Sequence, residues 1–282
     1  MGLRFVSKLG DRLKLAKDNP SKTFNIDTEP DPIIRSAMIE IYEKYGHVVE
    51  NNYKRLRKYG LSRQVQQNTP TLIMTNKTGV FAEVLPTTNS IDSVVCSGYT
   101  GSFDLEYHTI DGSGNKTFDT QTVNVVAGVG TLETPCARVS TAENFTAALT
   151  ADLYIYENSS VTAGVPDDGT KIHLKVEQAA NHSLKCATTV EQNKYWIIDT
   201  LYGSVNTKTS AFCKATLFTK NGDLVSENRY EGGLINGAQP PLEVPGLIIV
   251  KPNEDAWVSG TADQNRREMS FGAAGYLLEI RG

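Results

Sequence analysis

The chain is poor in the residues that most often carry chemistry or covalent staples. It has four cysteines, Cys96, Cys136, Cys186 and Cys213, and no two form a C-x-x-C pair. A zinc framework is therefore unsupported, and buried free thiols are expected ahead of disulfides. It has two tryptophans and four histidines in 282 residues. No apolar run approaches the roughly 18 residues that a membrane helix requires. The opening MGLRFVSKLGDRLKLAKDNP has no apolar core between its charges, so no secretory signal is read there. Ser7 falls one position too late for the myristoylation pattern. G-x-S-x-G, H-E-x-x-H and phosphate-cradling glycine loops are missing from the sequence. These absences point away from a membrane protein, a disulfide scaffold and the common hydrolases. The expectation is a soluble product of a cytoplasm, with no cofactor and no enzymatic activity.

What is present suffices for about two domains. Hydrophobic residues make up 39% and charged residues 21%, which argues against disorder. The net charge of −4 is unevenly spread: residues 1–64 hold 13 Lys and Arg against 8 Asp and Glu, and the remainder 15 against 24. A basic leader on acidic domains can bind an acidic partner surface, although solvated helix faces explain it as well.

Residues 1–30 read as a basic arm, with Phe5, Leu9, Leu13 and Ala16 at near-helical spacing before Asn19-Pro20. Residues 31–60 read as one long amphipathic helix. Asp31 is its cap, Pro32 its first turn and Gly60 its stop, and Gly46 marks a kink. Its stripe holds Ile34, Met38, Ile41, Tyr45, Val48, Leu56 and Tyr59, and its end carries Arg55, Arg57 and Lys58. That stripe needs a partner, either this chain's own first β-domain or the same helix of sister subunits. Ile34, Met38, Ile41, Tyr45, Arg55, Arg57 and Lys58 are accordingly the candidate docking residues. A nucleic-acid patch at RKYGLSR is disfavoured, because no aromatic is interleaved as in a known module.

From Thr71 the period changes to two. Strand-like segments follow about ten residues apart, separated by Asp111-Gly112, Gly128, Asn158 and Asp168-Gly169. A second set runs from KYWIIDTLYGSV to GYLLEI, with a hairpin at Asn221-Gly222 and a loop or edge at Pro240-Pro241. The expected fold is mainly β: the arm and long α-helix, then two antiparallel, jelly-roll-like β-sandwich domains over 61–175 and 176–282. A loose internal repeat relates SIDSVVCSGYTGSFDLEYHTIDGSG to WIIDTLYGSVNTKTSAFCKATLFTKNGD.

Other readings are available for single residues. His173 alternates with Ile172, Leu174 and Val176, so it reads as an exposed strand position. Asp111, Asp167 and Asp168 lie in oxygen-rich turns; turn chemistry accounts for them ahead of calcium, and no metal site is expected. Trp196, in YWIIDTLY, reads as core. Trp257, beside Asn253, Glu254 and Asp255, is the better surface candidate, on which a receptor- or glycan-binding module would stack a sugar, but core or interface packing is expected ahead of that role.

From about Lys171 onward the chain resembles a β-sandwich module of tailed-bacteriophage structural proteins. The start of that module is matched by Asn181, Ser183 and Leu184, its Pro-x-x-x-Asp turn by Pro252 and Asp255, and its end by Gly272, Gly275, Tyr276 and Leu277. Val190-Glu191-Gln192-Asn193 departs from the module's usual Pro- and Gly-bearing first turn. The resemblance implies a non-enzymatic virion component of the neck, tail, baseplate, fibre or capsid decoration, assembled in the host cytoplasm. It also implies a homo-oligomer whose partners are other virion proteins such as the portal, neck, tail or capsid.

Overall fold

The computed structural model describes residues 31–47, 49–65, 67, 71–72, 85–206, 212–221, 227–235, 237–238, 247–264 and 267–281. The basic arm, most of TLIMTN and GVFAEVL, Gly222 and Pro240-Pro241 lie outside them. The described chain opens with α1, Pro32–Tyr45. Asp31 caps it, accepting from Ile33 N at 2.8 Å and Ile34 N at 3.3 Å, and Pro32 takes the first turn, where no N–H is needed.

The helix does not run to Gly60. Gly46 adopts φ 73°, and its N–H closes on Tyr42 O, so it is the terminating left-handed cap rather than a kink. The residues beyond it form β1, Val49–Val65, a 17-residue strand. Along it Tyr53, Arg57 and Tyr59 are exposed, whereas Lys58, Gly60 and Ser62 are buried. That is a period of two.

Eighteen further strands follow among the described residues. The first group is β2 Thr71–Leu72, β3 Ile91–Val95, β4 Gly101–Ile110, β5 Lys116–Val126, β6 Val129–Cys136 and β7 Arg138–Glu143. Next come β8 Leu153–Tyr156, β9 Val161–Thr162, β10 Val165–Pro166, β11 Ile172–Val176, β12 Ala187–Thr189 and β13 Lys194–Asn206. The last are β14 Phe212–Asn221, β15 Glu227–Ile235, β16 Gly237–Ala238, β17 Ile248–Val250, β18 Glu254–Ala262 and β19 Arg267–Ile280. The pairings within the three main sheets are antiparallel.

One unit is a seven-stranded sheet in the order β11-β8-β3-β6-β5-β4-β7. Its inward side chains, among them Phe103, Leu105, Val123, Leu153, Ile155 and Leu174, form one core. The sheet curls until its edge strands β11 and β7 approach each other. Lys185 is set between those edges, donating to His173 O at 3.0 Å and Val139 O at 3.4 Å.

The other unit has two five-stranded sheets. One runs β1-β19-β13-β16 with β17 also on β13; the other runs β12-β18-β14-β15 with β2 on β18. Trp196, Ile198 and Leu201 from the first sheet and Ala215, Leu217 and Val258 from the second share a core. The alternate residues Tyr195 and Ile197 face the other way, against Ile34, Met38 and Ile41 of α1. Burial of both faces explains the unbroken apolar run in YWII.

This corrects the expected division of the chain. Residues 49–65 and 71–72 belong to the sheets formed by 187–280, and the seven-stranded unit stands between them in the sequence.

The glycines of the terminal Gly-x-x-Gly segment have a steric reason. A Cβ on Gly275 would lie 1.8 Å from Ile197 O, where β13 is bulged between Ile198 and Thr200. One on Gly272 would meet the Tyr202 ring at 2.2 Å. Gly275→Ala is expected to cost about 3 kcal/mol, because backbone must move to admit the methyl. A shift of the urea midpoint measures it, and an unchanged midpoint would refute it.

Candidate functional site at the junction of the two units

The densest polar cluster of the described residues lies where the two units meet. Asp255, at the start of β18, is 3% exposed. Its Oδ2 accepts from Lys116 Nζ at 2.6 Å and Arg138 Nη2 at 2.9 Å; its Oδ1 accepts from Arg138 Nε at 2.9 Å and Thr189 Oγ1 at 2.7 Å. Lys116 and Arg138 come from the seven-stranded unit, and Asp255 and Thr189 from the other. Asn253, in a left-handed conformation with φ 62°, reinforces the contact: its Oδ1 and its backbone O accept from Lys116 N and Nζ at 2.9 and 2.7 Å. Burial pushes the Asp255 carboxyl upward. Arg138 and Lys116 outweigh that and hold it below the ordinary value. Burial also lowers the Lys116 and Lys58 ammonium groups, against the pull of Asp255 and Glu106 respectively.

Beside this cluster is a cavity of about 120 Å³, lined by Lys54, Lys58, Glu106, His108, Thr188 and Lys194 among others. Lys58, from β1, donates to Thr141 Oγ1 at 3.2 Å and Glu106 Oε2 at 3.4 Å across the junction. His108 is 3% exposed, its Nδ1 has no hydrogen-bond partner, and burial pushes its pKa down to about 3. Sequence reasoning did not single out Asp255 as a hub, nor Lys116, Arg138 or His108. The available signal was the buried charge that the apolar neighbours of Arg138 and Asp255 imply.

A second polar group joins Ser90, Glu157 and His173. Ser90 Oγ donates to Glu157 Oε2, and His173 Nε2 lies 3.2 Å from Glu157 Oε1. The carboxylate sits between hydroxyl and imidazole, so the imidazole cannot deprotonate the serine as a nucleophile needs. His173 is 6% exposed, not the exposed strand position its alternation indicates, because both faces of β11 are covered. All four cysteines are buried thiols, and burial lifts Cys136 and Cys186 to about 12, which leaves them unreactive. Asp111 spends its oxygens on Ser113 N, Asn115 N and Asn115 Nδ2 within its own turn. No group of three or more His, Cys, Asp or Glu among the described residues is placed to hold a metal ion. No helix among them is long and apolar enough to cross a membrane.

The docking residues read from sequence fall as follows. Ile34, Met38 and Ile41 are buried against this chain's own β13, β17 and β19, with Tyr45 half-buried beside them. Their partner is therefore intramolecular, and it is the second unit rather than the first. Arg55 makes a two-point contact with Asp199, at 2.5 and 3.0 Å, and lies over the Tyr276 ring at 4.4 Å. Lys58 is buried at the junction, which leaves Arg57 as the exposed member of the basic trio. Trp257 is 8% exposed and stacks on Phe218 at 5.6 Å. It offers no open face to a sugar, because the ring packs against Phe218 and into the core of the seven-stranded unit.

No protein-family model matches the chain, and no curated protein matches it. Among solved structures, likenesses are found to infectious bursal disease virus. The Gx strain gives a TM-score of 0.23 at 9% identity, covering 89% of this chain and 78% of that one. The Gt strain gives 0.20 at 9%, covering 89% and 83%. The VP2 subviral particle of that virus gives 0.21 at 13%, covering 89% and 78%. Superpositions this loose assign neither a fold nor a role to the chain.

Proposed function

We propose that this protein is a non-enzymatic structural component of a virus particle, of the tailed-phage kind, working by subunit contacts in the neck, tail, baseplate or fibre region. Its partners would be other virion proteins and further copies of itself, brought together in the host cytoplasm. The residues of the phage-module resemblance support the kind of particle.

The observation that carries the contact role is a pair of apolar hairpin tips. β5 and β6 are joined by Ala127-Gly128, with φ 51° and 87°; β9 and β10 are joined by Ala163-Gly164, with φ 51° and 80°. Two-residue turns with both φ positive ordinarily take Asn-Gly. Alanine there costs about 1 kcal/mol of strain and removes the polar side chain. Both tips rest on Ser97: a Cβ on Gly128 would lie 3.3 Å from Ser97 Cα, and one on Gly164 would lie 2.9 Å from Ser97 Cβ. They hold Val126 and Val129 out at 69% and 64% exposure, with Val161 and Val165 at 38% and 41%. Neither turn contains a lysine or arginine, as an anionic surface would require. An apolar protein surface on a neighbouring subunit fits them.

Val126→Asp with Val129→Asp is expected to leave the fold intact, since exposed substitutions cost little. The same pair should abolish oligomers in sedimentation and incorporation into particles. Wild-type protein that stays monomeric at high concentration, or a variant that still incorporates, would reject the reading.

A further inference from the structure

We infer that the cavity at the junction is a binding site for a small oxyanion, with His108 and Lys58 as its principal ligands. Three observations converge on it. The first is His108, a residue of the cavity wall whose buried Nδ1 has no hydrogen-bond partner. A neutral imidazole carries its proton on either nitrogen, so Nδ1 can donate to an anion without further change. The second is charge. The wall carries Lys54, Lys58 and Lys194 against Glu106 and Glu191, and behind it Lys116 and Arg138 share the single carboxylate of Asp255. The junction is thus short of negative charge on both layers. Lys58 meets its acid at 3.4 Å, and that acid is one-third exposed, which leaves the ammonium able to take a closer anion.

The third observation is the setting. Phe118, Leu56 and Leu277 line the cavity alongside the polar groups, and Phe118 packs edge-on to His108 at 5.4 Å. Ser140 and Thr188 also line it and supply hydroxyls to a bound oxygen. At about 120 Å³ the space is of the order of the ~150 Å³ cavities that admit one benzene. It accepts a phosphate or a single carboxylate group. The site is distinct from the valine tips, and the inference does not rest on the assembly reading.

The test is thermal unfolding of the full chain in phosphate, in acetate and in chloride at equal ionic strength. Phosphate or acetate should raise the midpoint above the chloride value and saturate. A response to phosphate alone assigns a tetrahedral anion, and one to acetate alone assigns a carboxylate. His108→Leu should abolish the saturable rise, and Lys58→Met should weaken the apparent affinity at least tenfold. If His108 were only an unsatisfied core residue, His108→Leu would leave the anion response as it is. That result, or a wild-type response no larger than in chloride, overturns the site. Should His108→Leu fail to fold, the ¹⁵N shift of the His108 imidazole decides: a saturable change on phosphate or acetate addition supports the site, and none rejects it.

Discussion

Acidification from pH 7 to pH 4 is expected to remove about 6 kcal/mol of folding stability, through two buried imidazoles. Burial, with Lys58, Lys116 and Arg138 adding to it and Asp255 opposing, takes His108 from 6.5 down to about 3. Burial and Lys185 take His173 from 6.5 down to about 4, against the pull of Glu157. Both folded values are depressed, so below pH 6.5 the unfolded chain binds protons that the folded chain refuses. Their contribution is complete above that pH. It is then lost at up to ~1.4 kcal/mol per pH unit for each ring. The loss from His173 ends near pH 4, and that from His108 continues to about pH 3. Set against the 5–15 kcal/mol of a typical domain, this is a large share of the whole, and the urea midpoint should fall steeply across the interval. The depressed carboxyl of Asp255 works in a different window. Its contribution is present above the ordinary value of 3.8 and is lost only below it. Urea unfolding at half-unit pH steps would measure the slope, and His108→Gln with His173→Gln should flatten it. A wild-type profile level between pH 7 and 5 would refute the claim.

Removing the hub of the junction should be comparably severe. Asp255→Asn leaves Lys116 and Arg138 buried without their counter-charge, and the expected loss is about 4 kcal/mol. Arg63→Ala provides the contrast. Arg63 also bridges the units, to Glu177 at 2.9 Å, but its side chain is 43% exposed. Its loss should stay below about 1 kcal/mol. Replacing Lys116, Arg138 and Asp255 together with apolar residues should recover most of the deficit, because the desolvation cost disappears with the charges. Chemical denaturation of the three variants checks this; equal losses from Asp255→Asn and Arg63→Ala would show that burial does not govern the pair.

The mainly antiparallel β character, the Asp31-Pro32 helix start, the core position of Trp196 and the buried thiols were all legible, because each depends on local pattern. The misreadings share a physical cause. In this chain, charge does not signal exposure. Leu56 and Tyr59 fall at helical spacing from the residues before Gly46, and the lysines among them resemble a solvated helix face. Yet Lys58 points into a junction whose acid, Glu106, is 48 residues away. Trp257 is the better surface candidate of the two tryptophans only because Glu254 and Asp255 precede it. Both acids are buried against basic groups, those of Asp255 lying 139 and 117 residues distant, and the ring takes the core position expected ahead of sugar binding. His173 looked exposed because one strand cannot reveal that both of its faces are covered. The candidate site was least legible of all, since its cations and its carboxylate belong to different units.

The placement of the seven-stranded unit between β2 and β12 has a consequence for synthesis. Among the described residues β1 pairs only with β19, so the 17-residue strand emerges from the ribosome some 200 residues ahead of its mate. The stretch from β3 to β11 has all its strand partners at hand and can pair while translation continues. The long strand meanwhile presents an unpaired edge, and its run of lysine and arginine is what discourages nascent chains from zipping together there.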